Sequence, residues 1–211
     1  MREVNLMLSV LLLLITGAAG ADVFGWDPDD VDPGEVTLGT PSLRGTGCSA
    51  GTTDVAISTD GTVLSVLFDD FVVEAGGSIG RTIARKGCSM AIPVHVPQGY
   101  SVSLITIDYL GFNSLPRRAS AKLSVSHFFA GKRGQRFTKN FRSGTEDEYM
   151  LSTEFVNGHN VWSACGKDVI LRTKTSLMLR NSNRNIEAIS TVDSVDLTSG
   201  LMYKLSWKRC R

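Results

Sequence analysis

The chain has 211 residues, four cysteines, 42% hydrophobic residues and a formal charge of only +1. That length suits one domain with a real core, and the small charge hides a separation: from Asp22 to Arg44 six acids stand against the single base Arg44, so the remainder is basic. No CxxC or CxH spacing supports a zinc site, no Asn-x-Ser/Thr sequon supports N-glycosylation, and beyond the first residues no apolar run is long enough to hold the chain in a membrane.

Arg2, the apolar run from Leu6 to Ile15 and the small residues Gly17 to Ala21 follow the order of a secretory signal peptide. Residues 1–21 are therefore expected to be removed after Ala21, giving a secreted, extracellular product without a membrane anchor. A copper monooxygenase that ligates its metal through an N-terminal histidine is then excluded, because Asp22 comes first. Residues 22–46 are rich in acid, glycine and proline (Pro28, Pro33, Pro41) and lack apolar periodicity, which predicts a disordered leader. The carboxylates between Asp27 and Glu35 suit Ca²⁺, yet they lack an EF-hand pattern, and the disordered reading is preferred. A single domain is expected over 47–211.

Within that domain, Thr53 to Thr59 and Thr62 to Phe68 flank Asp60-Gly61, which predicts a two-residue type I′ hairpin. Ile92, Val94 and Val96 alternate with Pro93, His95 and Pro97, and that proline density places the segment at a sheet edge. From Ser101 to Tyr109 the apolar phase changes between Leu104 and Ile105, which predicts a bulge. Ala121 to Phe129 puts Leu123, Val125, His127 and Phe129 on one face, and Tyr149, Leu151, Thr153 and Phe155 form another. Leu171, Thr173, Thr175, Leu177 and Leu179 oppose Arg172, Lys174 and Arg180, while Leu201, Tyr203, Leu205 and Trp207 oppose Lys204 and Lys208. No segment carries a helical apolar stripe. Short alternating strands between Gly, Asn and Ser turns predict an all-β, antiparallel two-sheet β-sandwich, with a β-barrel as the alternative.

An even number of cysteines in an exported chain favours two disulfides. Three connectivities exist for Cys48, Cys88, Cys165 and Cys210, and the economical one pairs sequence neighbours, Cys48 with Cys88 and Cys165 with Cys210. On the chain-entropy model each bridge contributes about 4 kcal/mol.

The segments GCSAG at Cys48, TDVAISTDGTVLSVLFDDF, RKGCSMAIPVHVPQGYSVSLITIDYLGF, WSACG at Cys165 and the terminal YKLSWKRC carry a resemblance. Together they resemble the secreted proteins of the domain of unknown function 4360 family. The resemblance covers most of 47–210. It implies secretion, a β-rich domain and paired cysteines, and it supplies no catalytic residue.

Chemistry is sparse. His127 sits in an apolar phase and reads as a hydrogen-bonded core residue, His95 points away from the Val94 and Val96 face, and His159 falls in a turn. None has a second histidine at ligand spacing, so no metal site and no cofactor are expected. No G-x-S-x-G elbow marks a nucleophile. Asp69 and Asp70 are adjacent on an extended chain and face opposite ways, and Asp108 and the Glu146-Asp147-Glu148 cluster read as surface acids. A secreted hydrolase using His127 or the acids near Asp69 is the alternative function.

One feature points to binding. From Tyr109 to Thr145 there is no acid, while Arg117, Arg118, Lys122, Lys132, Arg133, Arg136, Lys139 and Arg142 supply eight bases among Phe128, Phe129, Phe137 and Phe141. These eight are the candidate polyanion-binding residues. The plain alternative is a solvated hairpin whose cations keep edge strands soluble. The favoured function is a non-catalytic binding or interaction protein acting at a cell wall, matrix or host surface. An anionic polysaccharide or another extracellular surface is the expected partner, and nucleic acid is not.

Overall fold

A computed structural model describes residues 36–132, 134–154, 162–193 and 200–210. The signal segment, residues 22–35, Arg133, Phe155 and His159 lie outside the described residues.

Among the described residues, twelve strands make two antiparallel sheets. In chain order they are β1 Ser42–Gly45, β2 Thr53–Ile57, β3 Val63–Phe68, β4 Val72–Ala75, β5 Ile83–Val94, β6 Tyr100–Leu115, β7 Ala119–Phe129, β8 Gln135–Phe141, β9 Thr145–Glu154, β10 Val169–Asn181, β11 Ala188–Thr191 and β12 Leu201–Arg209. One sheet has the order β1-β5-β10-β7-β8. The other runs β2-β3-β12-β6-β11-β4, with β9 paired to β6. The expected sandwich is the fold, and the sheets do not close into a barrel. Both expected disulfides are formed, Cys48 to Cys88 and Cys165 to Cys210.

Period-two patterning explains the packing. Leu171, Thr173, Thr175, Leu177 and Leu179 of β10 and Leu123, Val125 and His127 of β7 are buried against Leu201, Tyr203, Leu205 and Trp207 of β12, as their alternation requires. Polar contacts also cross between the sheets inside this core. The Tyr109 hydroxyl lies 2.7 Å from His127 Nε2, and the Thr173 and Tyr203 hydroxyls are 2.8 Å apart. Burying these groups is tolerable because each has a partner.

The bulge in β6 lies where the phase change predicts it. Thr106 pairs with Lys204 and Leu104 with Leu205, leaving Ile105 unopposed and 42% exposed.

Three local expectations are corrected. The β2–β3 loop is wider than a type I′ turn: Ser58 pairs back to Val63 and Gly61 N–H donates to Ser58 O, so four residues make the connection. A type I′ turn needs positive φ at both central residues, but only Gly61 has it, at 65°. Asp60 instead accepts hydrogen bonds from Thr62 N–H, at 3.1 Å, and from the Ser58 hydroxyl.

The proline-rich segment is not the outermost strand either. β5 lies between β1 and β10, and Leu38 bridges to Val94. Pro93 is tolerated because its missing N–H faces the irregular outer strand, where its carbonyl accepts from Gly39 N–H at 2.9 Å.

The same contacts correct the extent of the disordered leader. Residues 36–46 lie on the sheet: Ser42–Gly45 pair with Cys88–Ala91, and Val36 is buried beside Gly61. Pro41 interrupts the ladder, so Val36, Leu38 and Leu43 show no regular period in the sequence.

Candidate functional site

The five strands β1, β5, β10, β7 and β8 contain nine Lys or Arg residues and no Asp or Glu. Acids concentrate in the opposite sheet, where β9 alone carries Glu146, Asp147, Glu148 and Glu154. Two sheets of one molecule therefore present opposite charge.

Strand alternation sends most of the nine bases to one surface. The alternate residues of β10 and β7 are buried, so Arg172, Lys174, Arg180 and Lys122 face solvent. Register then brings the neighbours into line: Arg44 opposes Ser89, Ser89 and Ser126 both oppose Lys174, and Ser126 opposes Arg136. Arg85 and Lys122 both oppose Met178. On the outer face these side chains border a shallow groove of about 550 Å³, with Gly87, Ser124, Ser126 and Ser176 among its lining residues. A second depression of about 350 Å³ lies between Arg44, Arg172 and Lys174. Side-chain hydrogen bonds steady the rim: Arg136 Nε donates to Ser126 Oγ and Arg85 Nε to Ser176 Oγ, each at 3.1 Å.

The eight bases selected from the acid-free run divide. Lys122 and Arg136 line the groove. Lys139 has the opposite phase, opposing Leu123 at the sheet edge. Arg117 and Arg118 form the β6–β7 turn, Lys132 sits in the β7–β8 turn, and Arg142 follows β8. Arg133 is outside the described residues. A sequence window gathers residues by chain position, whereas the face gathers every second residue from five strands. Arg44, Arg85, Arg172, Lys174 and Arg180 therefore join the candidate face from outside the acid-free run. The solvent phase of β10 was legible as alternating cations. Arg44 was hidden in a segment read as acidic leader.

His95 and His127, the two described histidines, are not brought together. His127 is 1% exposed inside the core, and burial pushes its imidazole down to about 4. His95 lies at the surface, with Nδ1 2.9 Å from Asp168 Oδ1. Asp168 is held below the usual carboxylate range chiefly by the Val96 N–H, with His95 adding to the effect. Of the acids weighed for a hydrolase, Asp70 pairs with Lys86 Nζ at 2.7 Å. Asp108 is buried, accepting from Ser152 Oγ at 2.6 Å with Lys204 Nζ 3.6 Å away. Glu146, Asp147 and Glu148 are exposed along β9.

Among the described residues no helix is long and apolar enough to cross a membrane. A relative from Arthroderma benhamiae, named "Uncharacterized secreted protein", is 31% identical over 185 residues, covering 87% of this chain and 74% of its own. A solved structure titled as TmCBM61 in complex with beta-1,4-galactotriose overlaps 81% of this chain and 88% of its own at 8% identity. Its TM-score of 0.31 is too low for that overlap to carry a conclusion. A family model described as a domain of unknown function matches residues 34–210, and on that match the chain belongs to the DUF4360 family.

Proposed function

We propose that this is a secreted, non-catalytic binding protein that holds a polyanion, an anionic polysaccharide or another extracellular surface, on the outer face of its five-stranded sheet. The observation that carries the reading is the charge of that sheet: nine bases, seven of them in the outward phase, and no acid across five strands. A solvated surface normally mixes signs, because unbalanced like charge costs stability through self-repulsion. A face kept free of acids, with serines between its cations, suits a ligand that supplies the counter-charge.

Retention on heparin across a salt series tests this. The wild-type protein should be held at low salt and released as salt rises, since such binding is driven by counterion release and weakened by screening. A variant carrying Arg44→Ala, Arg136→Ala and Lys174→Ala should elute much earlier. Each lost contact removes about 0.7–0.9 from the slope of log K against log salt, so the triple variant should lose roughly 2 to 3. Absence of low-salt binding by the wild type, or equal retention of the variant, overturns the proposal.

A further inference from the structure

The groove has an order that charge alone does not require. Arg44, Ser89, Lys174, Ser126 and Arg136 form one row across five strands, base alternating with hydroxyl. Adjacent strands lie about 4.8 Å apart, so successive bases stand roughly 10 Å apart. Four residues farther along β10 a second row places Arg85 and Lys122 on either side of Met178, again two strands apart. At about 3.4 Å per residue the two cationic rows are roughly 14 Å from each other. Between them runs an uncharged floor, Gly87, Ser176, Ser124 and Thr138.

A trough walled by cations and floored by hydroxyls accommodates one extended polymer chain. Its long axis crosses the strands. A disaccharide of an extended polysaccharide advances by a stride similar to that between the bases of a row. Single-stranded nucleic acid fits less well, because its phosphates are more closely spaced and its bases need aromatic platforms, whereas among the described residues no aromatic side chain lines the groove.

We propose that the groove takes a linear anionic polysaccharide laid across the strands, with about one anionic group per disaccharide. Its charges rest on Arg44, Lys174 and Arg136, and its hydroxyls lie over Ser176 and Ser124. This inference rests on the polyanion reading of the same face and adds the polymer's chemistry and direction.

Gly87→Gln separates shape from charge. A Cβ at Gly87 meets only the Thr175 carbonyl oxygen, at the ordinary distance of 3.4 Å, so the side chain enters the floor while every cation remains. Ser124→Gln does the same from the neighbouring half of the floor and serves if the first variant does not fold. Binding is measured at low salt with three probes of equal length: hyaluronan oligosaccharide, which carries one carboxylate per disaccharide, inorganic polyphosphate, and oligo(dT).

The expected result is hyaluronan binding by the wild type, weakened at least tenfold by Gly87→Gln, with polyphosphate binding changed less than twofold. If all probes bind in order of charge density and the floor variants change nothing, the polysaccharide inference fails and the polyanion reading stands. Preferential oligo(dT) binding that the floor variants weaken overturns the inference in favour of nucleic acid. If no probe binds, both proposals fail.

Discussion

His127 shows how far a single environment moves a side chain. Neutral imidazole suits the interior, where it meets the Tyr109 hydroxyl, and the unfolded chain returns it to the ordinary 6.5. The unfolded state therefore binds the proton more readily between about pH 6.5 and about pH 4. Stability from this site is full above that window and is lost as pH falls through it. At 1.36 kcal/mol per pKa unit the loss approaches about 3 kcal/mol. Denaturant melts at pH 7 and pH 4.5 should show it, and His127→Asn should flatten the difference; an equal pH dependence in both proteins would refute it. Arg118 offers a second residue-scale test. Ala119 N–H donates to Pro116 O, and Arg118 has φ of 70°, the one positive-φ non-glycine among the described residues. That turn position favours glycine, since the left-handed region costs an L-residue about 1–2 kcal/mol. Allowing for glycine's extra unfolded-state entropy, Arg118→Gly should stabilise the protein by about 0.5–1 kcal/mol. Thermal melting measures this, and unchanged heparin retention would agree with a residue outside the groove.

Among the elements, β1 contributes most beyond its size. It caps the exposed edge of β5, brings Arg44 into the cationic row and follows the segment that buries Val36 against Gly61. Gly61 is held by a second contact as well, because Trp207 Nε1 donates to its carbonyl at 2.9 Å. A chain beginning at Thr46 should be less stable than one beginning at Val36 by roughly 2–4 kcal/mol, from a few ladder hydrogen bonds and one buried valine. For a domain of this size that corresponds to a melting temperature lower by roughly 5–15 °C. Equal melting temperatures would show that β1 adds charge and nothing to stability. The β8–β9 connection acts differently, carrying the chain from the basic sheet to the acidic one, and the Phe141 and Tyr149 rings, 4.7 Å apart, close that corner.

For the whole molecule, the main property is the separation of charge between its two sheets. On the proposed function, such a molecule would meet a polyanion with one face foremost, and the effect would weaken with salt because fields are screened within about 10 Å at 0.1 M. Location on the groove, rather than charge count, should therefore decide which cations matter. Removing Lys132 at its turn should change heparin retention far less than removing Lys174, although each substitution deletes one charge. Equal losses would mean that net charge alone governs binding and that the sheet face has no special role.

Much of this protein was legible in its sequence because the relevant physics is local. Period-two alternation marked β7, β10 and β12, and it identified His127 as a core residue because its neighbours at i±2 are apolar. The phase change in β6 located the bulge, and even cysteines in neighbouring pairs gave the disulfides. Asp60-Gly61 marks the place of the β2–β3 turn but not its type, since Asp-Gly permits several turns and the Ser58 and Asp60 side chains select among them. The site was only half legible. Lys122 and Arg136 fell within the acid-free run, but that run also includes Lys139, which has the opposite phase, and Arg117 and Arg118, which belong to a turn. Local sequence determined which residues face solvent on each strand, because a side chain's phase follows from the pleat. Only the tertiary structure decided that β1, β5, β10, β7 and β8 lie side by side, because strand order and register arise from long-range packing and place Arg44 in line with Lys174 and Arg136.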